Sequence, residues 1–261
     1  MKKLLLLLLL CGPALHAVEF EINLQGGWGK RFVDPFDRGW SGIRYEDSEA
    51  NETPTQVKNL AFMRNFINGQ VSFLMSPTYK HFFGISFSSF LSFSKGTVTN
   101  TYSSNTHSSQ ISVFGYSPAV SYKFYPFSSG TSVTMARIYL GADLGIALSS
   151  MTLDHSGGTF GSEQITFKNI FGPRAQLRAG YRLPAFGSKT FWVLEAGFDI
   201  IRFDDIEGSS VRSGTITSIT LKKKGTALAP VPVDSTAFTE YSNVPLYITQ
   251  FYLSLGFSYK T

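Results

Sequence analysis

The charged residues best placed to do chemistry lie in two neighbouring stretches, and their spacing is regular. Arg174, Arg178 and Arg182 recur every four residues, and Glu195 and Asp199 repeat that interval after a short turn. In an extended chain, residues two or four apart share one face. The two stretches therefore predict a β-hairpin, and the register that sets Arg178 opposite Glu195 also sets Arg174 opposite Asp199.

A wider set of charged residues falls on the same predicted face. Extending the register brings Lys168 towards Asp205, and Asp143 on the preceding strand approaches Arg174. Arg137 and Arg182 offer Glu195 and Asp199 further partners. A charge held in a low-dielectric interior is costly unless it is paired, so the pattern predicts a paired charge network inside a barrel. Its members are Arg137, Asp143, Lys168, Arg174, Arg178, Arg182, Glu195 and Asp199. Two interpretations stay open, a closed plug and a gate or ion-binding constriction that opens by exchanging partners.

Catalytic chemistry has one local candidate, the run Asp154, His155, Ser156. Adjacent residues of an extended segment point to opposite sides, and the glycines that follow indicate a loop without rigid support. The chain carries no metal-ligand spacing of Cys, His and Asp, and its glycines form no phosphate-binding motif. The sequence therefore predicts a protein that is not an enzyme, with no catalytic, cofactor or metal site.

The one concentrated run of positive charge is Lys222, Lys223 and Lys224, in the last long polar segment. Such a run is usually a solvated surface, and contact with lipopolysaccharide phosphates is the functional alternative. The whole chain carries a net charge of only +5. That charge is too small and too dispersed to predict nucleic-acid binding.

The elements that carry these residues are eight segments in which apolar and polar side chains alternate, as in half-buried strands. They cover residues 18–28, 66–76, 81–94, 111–124, 133–148, 164–183, 192–202 and 247–261. Long polar connections at 29–65, 95–110, 149–163 and 203–244 alternate with three short turns. An even number of strands with long loops on one side is typical of a transmembrane barrel. Pro118 and Pro173 lie inside strands, so a bulge or a missing ladder bond is expected at each.

A soluble barrel with an apolar interior is the alternative reading of the same alternation. On the second, third, fourth and eighth segments the polar face is mostly Ser, Gly, Ala, Asn and Gln. A soluble outer wall would usually be charged, whereas small side chains fit inside eight strands. The apolar face is therefore predicted to point outward. Ile111 and Val113 depart from the pattern as apolar residues on the inner side.

The amino-terminal residues 1–17 read as a signal peptide, with Lys2 and Lys3 before an apolar run and cleavage after Ala17, with Ala14 as the alternative cleavage position. The run is too short for a spanning helix. Acylation at Cys11 is a second reading, but Leu10 is a poor residue before such a site. Residues 18–261 are then one barrel domain without a thiol.

The last segment ends with Gly256, Phe257 and Tyr259. A glycine followed by alternating aromatics resembles the terminal signal of bacterial outer-membrane β-barrels, although Lys260 and Thr261 follow it here. With the strand pattern, the chain resembles the small eight-stranded barrels of the OmpA transmembrane-domain, OmpX and OmpW kind. The resemblance implies an all-β, eight-stranded antiparallel up-and-down barrel in the outer membrane, with long loops exterior and both termini periplasmic. It also implies outer-membrane lipid as surroundings, recognition by the barrel-assembly machinery through the final strand, and a monomer.

Three functions follow from this resemblance and the inner charges. The first is a non-enzymatic barrel with a largely plugged lumen, whose exterior loops serve surface interaction or envelope integrity. The second is a narrow OmpW-like channel for small or hydrophobic solutes, which the apolar inner residues Ile111 and Val113 would suit. The third is a lipid A-modifying barrel enzyme. No motif is shared with any member, so no residue role is carried over.

Overall fold

The protein is described by a computed structural model. It describes residues 18–32, 34–45, 52–78, 80–103, 105–127, 137–158, 161–204, 206–212, 215–224, 227–232 and 242–261. The signal peptide expected at residues 1–17 lies outside the described residues, and so does Asp205.

The chain is almost entirely β-structure. Its elements are β1 (Glu19–Arg31), α1 (Pro35–Trp40), β2 (Gln56–Ala61), β3 (Asn65–Ser76), β4 (His81–Ser92), β5 (Gly96–Thr101), β6 (Thr106–Phe124), β7 (Ile138–Gly157), β8 (Ser162–Pro184), β9 (Thr190–Phe203), β10 (Glu207–Arg212), β11 (Thr215–Lys224), β12 (Ala227–Pro232), β13 (Ser242–Asn243) and β14 (Leu246–Lys260). No helix among these described elements is long and apolar enough to cross a membrane.

Eight of the strands close into an antiparallel barrel, in the order β1, β3, β4, β6, β7, β8, β9, β14 and back to β1. They are the eight segments expected from the alternation. The fold class is therefore confirmed. Closure pairs the first strand with the last, so the barrel has no free edge.

The outer wall of the barrel is apolar and the inner wall is polar. Phe73, Val120 and Leu177 point outward and are 52%, 69% and 66% exposed. The residues next to them on the same strands, such as Ser72 and Ser121, point inward and are buried. A monomer in water rarely exposes so large an apolar surface, so this wall is built to face lipid.

The strands on one side of the barrel are longer than the alternation predicted. β6, β7 and β8 have 19, 20 and 23 residues. The loop expected at 149–163 is mostly strand: residues 149–157 continue β7 and residues 162–163 begin β8, with Asp154 opposite Gln164. Residues 159–160 lie outside the described residues. The extension has a physical cause. The neighbouring strands β6, β7 and β8 extend together, so the backbone N–H and C=O groups of each strand pair with those of the next.

A folded cap covers this end of the barrel. The cap consists of α1 with residues 41–45 and of the small sheet β10–β13. Asp34 and Asp37 form a capping box at the start of α1. Phe36, Trp40 and Ile43 point down into the barrel and are buried, and Arg44 N donates to Leu228 O at 2.9 Å. The sequence analysis missed the cap because its apolar residues follow neither strand nor extended helix periodicity.

The two strand prolines interrupt the ladders as expected. Pro118 lies within a break in the β6–β7 pairing between Tyr116 and Ala119. The β8–β9 ladder ends at Arg174, next to Pro173. Proline has no N–H to donate, so both ladders lose bonds there.

A bulge in β8 changes which residues face inward. Asn169 adopts a positive φ of 57°, and the β7–β8 register shifts between Ser149 and Met151. An extra residue reverses the alternation. Ile165 and Phe167, expected outside, are buried in the interior, and Lys168, expected inside, is exposed on the outer wall.

Candidate functional site

The barrel interior is the candidate site, and Glu195 lies at its centre. Tyr139 donates its hydroxyl to Glu195 Oε2 at 2.7 Å, and Tyr252 donates to Oε1 at 3.0 Å. Gln25 Nε2 reaches Oε2 at 3.4 Å, and Arg178 Nε lies 3.9 Å from it. Four strands thus contribute to one buried carboxylate, because each supplies an inward residue at the same height.

Asp143 forms a second centre beside Glu195. Arg178 Nη2 lies 2.8 Å from Asp143 Oδ1, and Gln70 Nε2 and Ser86 Oγ donate to Oδ2 at 2.8 and 3.1 Å. The same Arg178 nitrogen donates to Ser121 Oγ at 2.6 Å. Arg178 therefore links both carboxylates, and Asp143 pairs with it rather than with Arg174 as the sequence suggested.

Arg174 and Asp199 form a bidentate pair nearer the cap. Nε and Nη2 of Arg174 donate to the two carboxylate oxygens at 2.8 and 3.0 Å. Gln250 Nε2 donates to Asp199 Oδ2 at 3.3 Å and also contacts Asn68. Two parallel N–H bonds to one carboxylate fix the geometry of both groups.

Glu21 forms a third carboxylate centre, at the end of the barrel away from the cap. Lys123 Nζ lies 2.6 Å from Glu21 Oε1, and Tyr125 and Arg182 reach Oε2 at 2.9 and 3.4 Å. The sequence analysis missed Glu21, Lys123 and Tyr125. The alternation already set Glu21 on the inner face of the first strand, and that signal could have found it.

The register of the β8–β9 hairpin differs from the expected one by two residues. Arg174 is opposite Ile201, and Gln176 is opposite Asp199. A two-residue shift keeps every side chain on its predicted face. Arg174 and Asp199 meet diagonally, as do Arg178 and Glu195, since arginine is long enough to reach a diagonal neighbour.

Three members of the expected network take other positions. Lys168 is turned outward by the β8 bulge. Arg182 reaches Glu21 rather than Glu195 or Asp199. Arg137 is half-buried just before β7, and within the described chain no ion pair joins it to Glu195 or Asp199.

Glycines on the inner wall make room for the large side chains. Tyr139 lies opposite Gly180, and Tyr252 lies opposite Gly197. A Cβ at either glycine would collide with the tyrosine ring. Each of these tyrosines thus lies across from a residue without a side chain, which leaves room for its ring inside the narrow barrel.

Positive and negative charges are equal in number in this part of the interior. Across the three centres and the Arg174–Asp199 pair, the described inner wall carries four buried cations and four buried carboxylates, which are Lys123, Arg174, Arg178, Arg182, Glu21, Asp143, Glu195 and Asp199.

A cavity of about 20 Å³ lies beside Arg174, Gln176, Ser88 and Ser254. That space is enough for a single water molecule. It is far too small for a solute path.

The half of the interior nearest the cap is apolar. Ile111 and Val113 face inward, as expected, and are buried. They belong to one packed cluster with Phe66, Phe90 and Phe167 of the barrel, which also contains the buried residues of α1. The interior thus has an apolar layer above its three charged centres.

Arg31 ties the cap to the barrel rim. Its guanidinium lies 2.8 Å from both Asp34 Oδ2 and Asp37 Oδ1, and its Nε donates to Tyr247 O at 2.8 Å. Burial raises the pKa of Asp34, while the neighbouring Arg31 guanidinium opposes that rise. Arg31 thereby joins α1 to strands at both ends of the chain.

The Asp154, His155, Ser156 run lies on β7. His155 faces inward and is buried, with its Nε2 3.3 Å from His107 Nδ1 and its ring stacked on Tyr45. Asp154 and Ser156 point to the other face. No group of three or more metal-ligating side chains converges within the described part of the chain.

The closed barrel, its lipid-facing wall and its filled interior define the class: an eight-stranded β-barrel protein of the outer-membrane kind. No protein-family model matches the chain. No curated protein matches it either.

Several solved outer-membrane proteins are similar in structure. A major outer membrane protein of Thermus thermophilus has 11% identity and a TM-score of 0.44, over 94% of this chain and 100% of that one. OprG of Pseudomonas aeruginosa has 12% identity and a TM-score of 0.41, over 94% and 96%. CarO of Acinetobacter baumannii has 11% identity and a TM-score of 0.34, over 74% and 94%. Likenesses at this level carry no argument about function.

Proposed function

We propose that the protein is a non-enzymatic outer-membrane barrel with a closed lumen, whose exterior cap serves surface contacts or envelope integrity. The observation that carries this proposal is the filling of the interior along its length. Three charged centres occupy the lower part, and a packed apolar layer beneath α1 occupies the upper part. A barrel evolved to conduct would keep a continuous aqueous path.

The proposed orientation puts the cap outside the cell and both termini in the periplasm. The amino terminus of β1 and the carboxyl terminus of β14 lie at the same end, since the two strands pair antiparallel. Export through the signal peptide leaves that end on the periplasmic side. Phe257 and Tyr259 point outward at this end, which supports their reading, with Gly256, as the signal to the assembly machinery.

The narrow channel is the weaker alternative. Its apolar path would run past Ile111 and Val113, and these side chains pack against other residues instead of lining an open space. A gate that works by exchanging partners would need the charged centres to separate. Each carboxylate has several donors from different strands, so separation would break all of these contacts together.

A lipid-modifying enzyme has less support. His155 points into the interior and contacts His107, while Asp154 and Ser156 face away from it. General-base catalysis needs the base within hydrogen-bond reach of the group it activates. The opposed faces of this run do not supply that geometry.

Conductance of the purified protein in planar bilayers tests the closed lumen. We expect a flat baseline at protein amounts that give clear unit currents with a general porin inserted under the same conditions. Insertion is verified independently by the heat-dependent shift in gel mobility of a folded barrel. Reproducible unit currents from verified insertions would contradict the proposal and favour the channel.

A further inference from the structure

The charges on the outer wall of the barrel are unevenly distributed. Lys30, Lys95, Lys168 and Arg202 point outward, and all four lie towards the capped end. The outward strand residues at the opposite end are apolar or aromatic, among them Phe20, Phe83 and Tyr259. Lys80 and Lys189, which are also at that end, lie in the turns between strands. An asymmetric wall of this kind distinguishes the two leaflets of a membrane.

Lys30 lies at the depth where hydrocarbon ends. It follows the outward residue Phe20 by ten positions on β1. At about 3.3 Å per residue and a tilt of roughly 40°, that is a rise of about 25 Å. The apolar band of such barrels has about the same height. The ammonium group of Lys30 is therefore at headgroup level on the capped side.

Lys30 on β1, Arg64 just before β3 and Lys95 just after β4 form a basic patch at the rim of the barrel. Arg31 N donates to Arg64 O at 2.7 Å, and Arg64 N donates to Ser94 Oγ at 3.2 Å. These bonds hold the backbone next to each cation in one line across β1, β3 and β4. All three side chains are exposed, so their charged ends can converge on one ligand.

The ion pairs of the described chain leave this basic patch uncompensated. None of them includes Lys30, Arg64 or Lys95. Arg202, at a similar height, is paired with Asp204 at 2.7 Å. The basic patch is thus the part of the rim where positive charge is concentrated and lacks an acidic neighbour among those pairs.

An apolar groove lies on the outer wall mainly over β4, β6 and β7, and β4 runs from this groove towards Lys95 of the basic patch. It has a volume of about 480 Å³, and its lining includes Phe87 on β4, Val120 on β6 and Ile146 on β7. Just past the end of β4, the exposed Phe93 lies between the groove residue Phe87 and Lys95, which it precedes by two residues. Cations above and an apolar groove below match an amphiphile with an anionic head and acyl chains.

We propose that the basic patch binds the phosphate-bearing headgroup of a lipid in the outer leaflet, with an acyl chain of that lipid in the groove. This inference rests on the proposed exterior position of the capped end. Lysine and arginine bind phosphate as charge-assisted donors. Zwitterionic or uncharged headgroups would not neutralise the patch. The bound lipid would thus be selected by its phosphates.

The test uses the full barrel in a neutral detergent and lipid A carrying both phosphates as the probe. The variant Lys30→Gln/Lys95→Gln removes two charges from the patch. The matched control, Lys80→Gln/Lys189→Gln, removes two charges at the opposite end. Bound lipid is counted by native mass spectrometry across a titration. Lipid A stripped of its phosphates is titrated in parallel, and gel mobility checks that each variant is folded.

We expect the patch variant to bind diphosphorylated lipid A roughly 10- to 30-fold more weakly than the unaltered protein. The control variant should bind it as the unaltered protein does, and dephosphorylated lipid should bind all three proteins equally weakly. An equal loss in both variants would indicate general charge attraction and overturn the site. Undiminished binding by the patch variant would overturn it too. Conductance is independent of these outcomes, so the closed lumen stands or falls separately.

Discussion

At the scale of single residues, the interior is a set of carboxylates that each collect several donors. Asp143 accepts from Arg178, Gln70 and Ser86. Removing a buried carboxylate leaves its cation unpaired and its neutral donors unsatisfied, and both effects cost free energy. The cost of losing one member should therefore exceed what a single hydrogen bond contributes.

This argument gives a matched prediction on one strand. Asp143→Ala is expected to lower the free energy of unfolding by about 3–5 kcal/mol, because buried Arg178 loses its 2.8 Å ion pair and keeps a bond to the neutral Ser121 hydroxyl and a 3.9 Å contact to Glu195. Asp154→Ala, further along β7, removes a bond from exposed Gln164 and should cost at most about 0.5 kcal/mol. Urea unfolding of both variants in lipid vesicles measures the difference. Equal costs would mean that the buried network contributes little to stability.

At the scale of elements, the β8 bulge decides which residues fill the apolar layer. Asn169 holds the left-handed conformation that the bulge needs, and asparagine adopts it more readily than most residues. The extra residue turns Phe167 into the interior and Lys168 out to the rim. A regular strand would exchange them and put a lysine into an apolar core.

Cysteine labelling distinguishes these two arrangements. Residues 18–261 contain no cysteine, so a single introduced thiol can be read without background. Lys168→Cys should react with a membrane-impermeant maleimide in the folded barrel, since this position is exposed. Phe167→Cys should react only after unfolding, because the side chain it replaces is fully buried. The reverse pattern is the result that would rule out the bulge. Both positions reacting in the folded state would indicate a loose strand end.

The strands could be predicted from the sequence, and the bulge and cap could not. Two-residue alternation is a local signal, so it located all eight strands and the inner position of Arg174, Arg178 and Glu195. Nothing in Phe167-Lys168-Asn169-Ile170 requires a bulge, because a regular strand is sterically possible there. The hairpin register was chosen to put charges directly opposite, but long arginine side chains pair as well on the diagonal. The cap depends on contacts between segments far apart in the chain, such as α1 with β12.

At the scale of the whole molecule, two chemically different layers fill the same barrel. The charged centres around Glu21, Asp143 and Glu195, together with the Arg174–Asp199 pair, fill one part of the interior by charge pairing. The apolar layer around Phe90 and Phe167 fills the other part by packing, and the cap covers that layer. In the closed lumen proposed above, the apolar layer would exclude ions because they would lose their hydration there. The charged centres would exclude apolar solutes. Each layer would thus exclude what the other tolerates.

If both layers close the lumen as proposed, removing either one should leave the barrel non-conducting, because the other layer remains. Tyr139→Ala/Tyr252→Ala removes the rings around Glu195 and leaves the apolar layer intact. Phe90→Ala/Phe167→Ala opens the apolar layer and leaves the charged centres intact. Both variants should insert without unit currents in planar bilayers, whereas the four substitutions together should give small currents. Currents from either double variant would show that the other layer does not close the barrel, and the folded state of each is checked by gel mobility before recording.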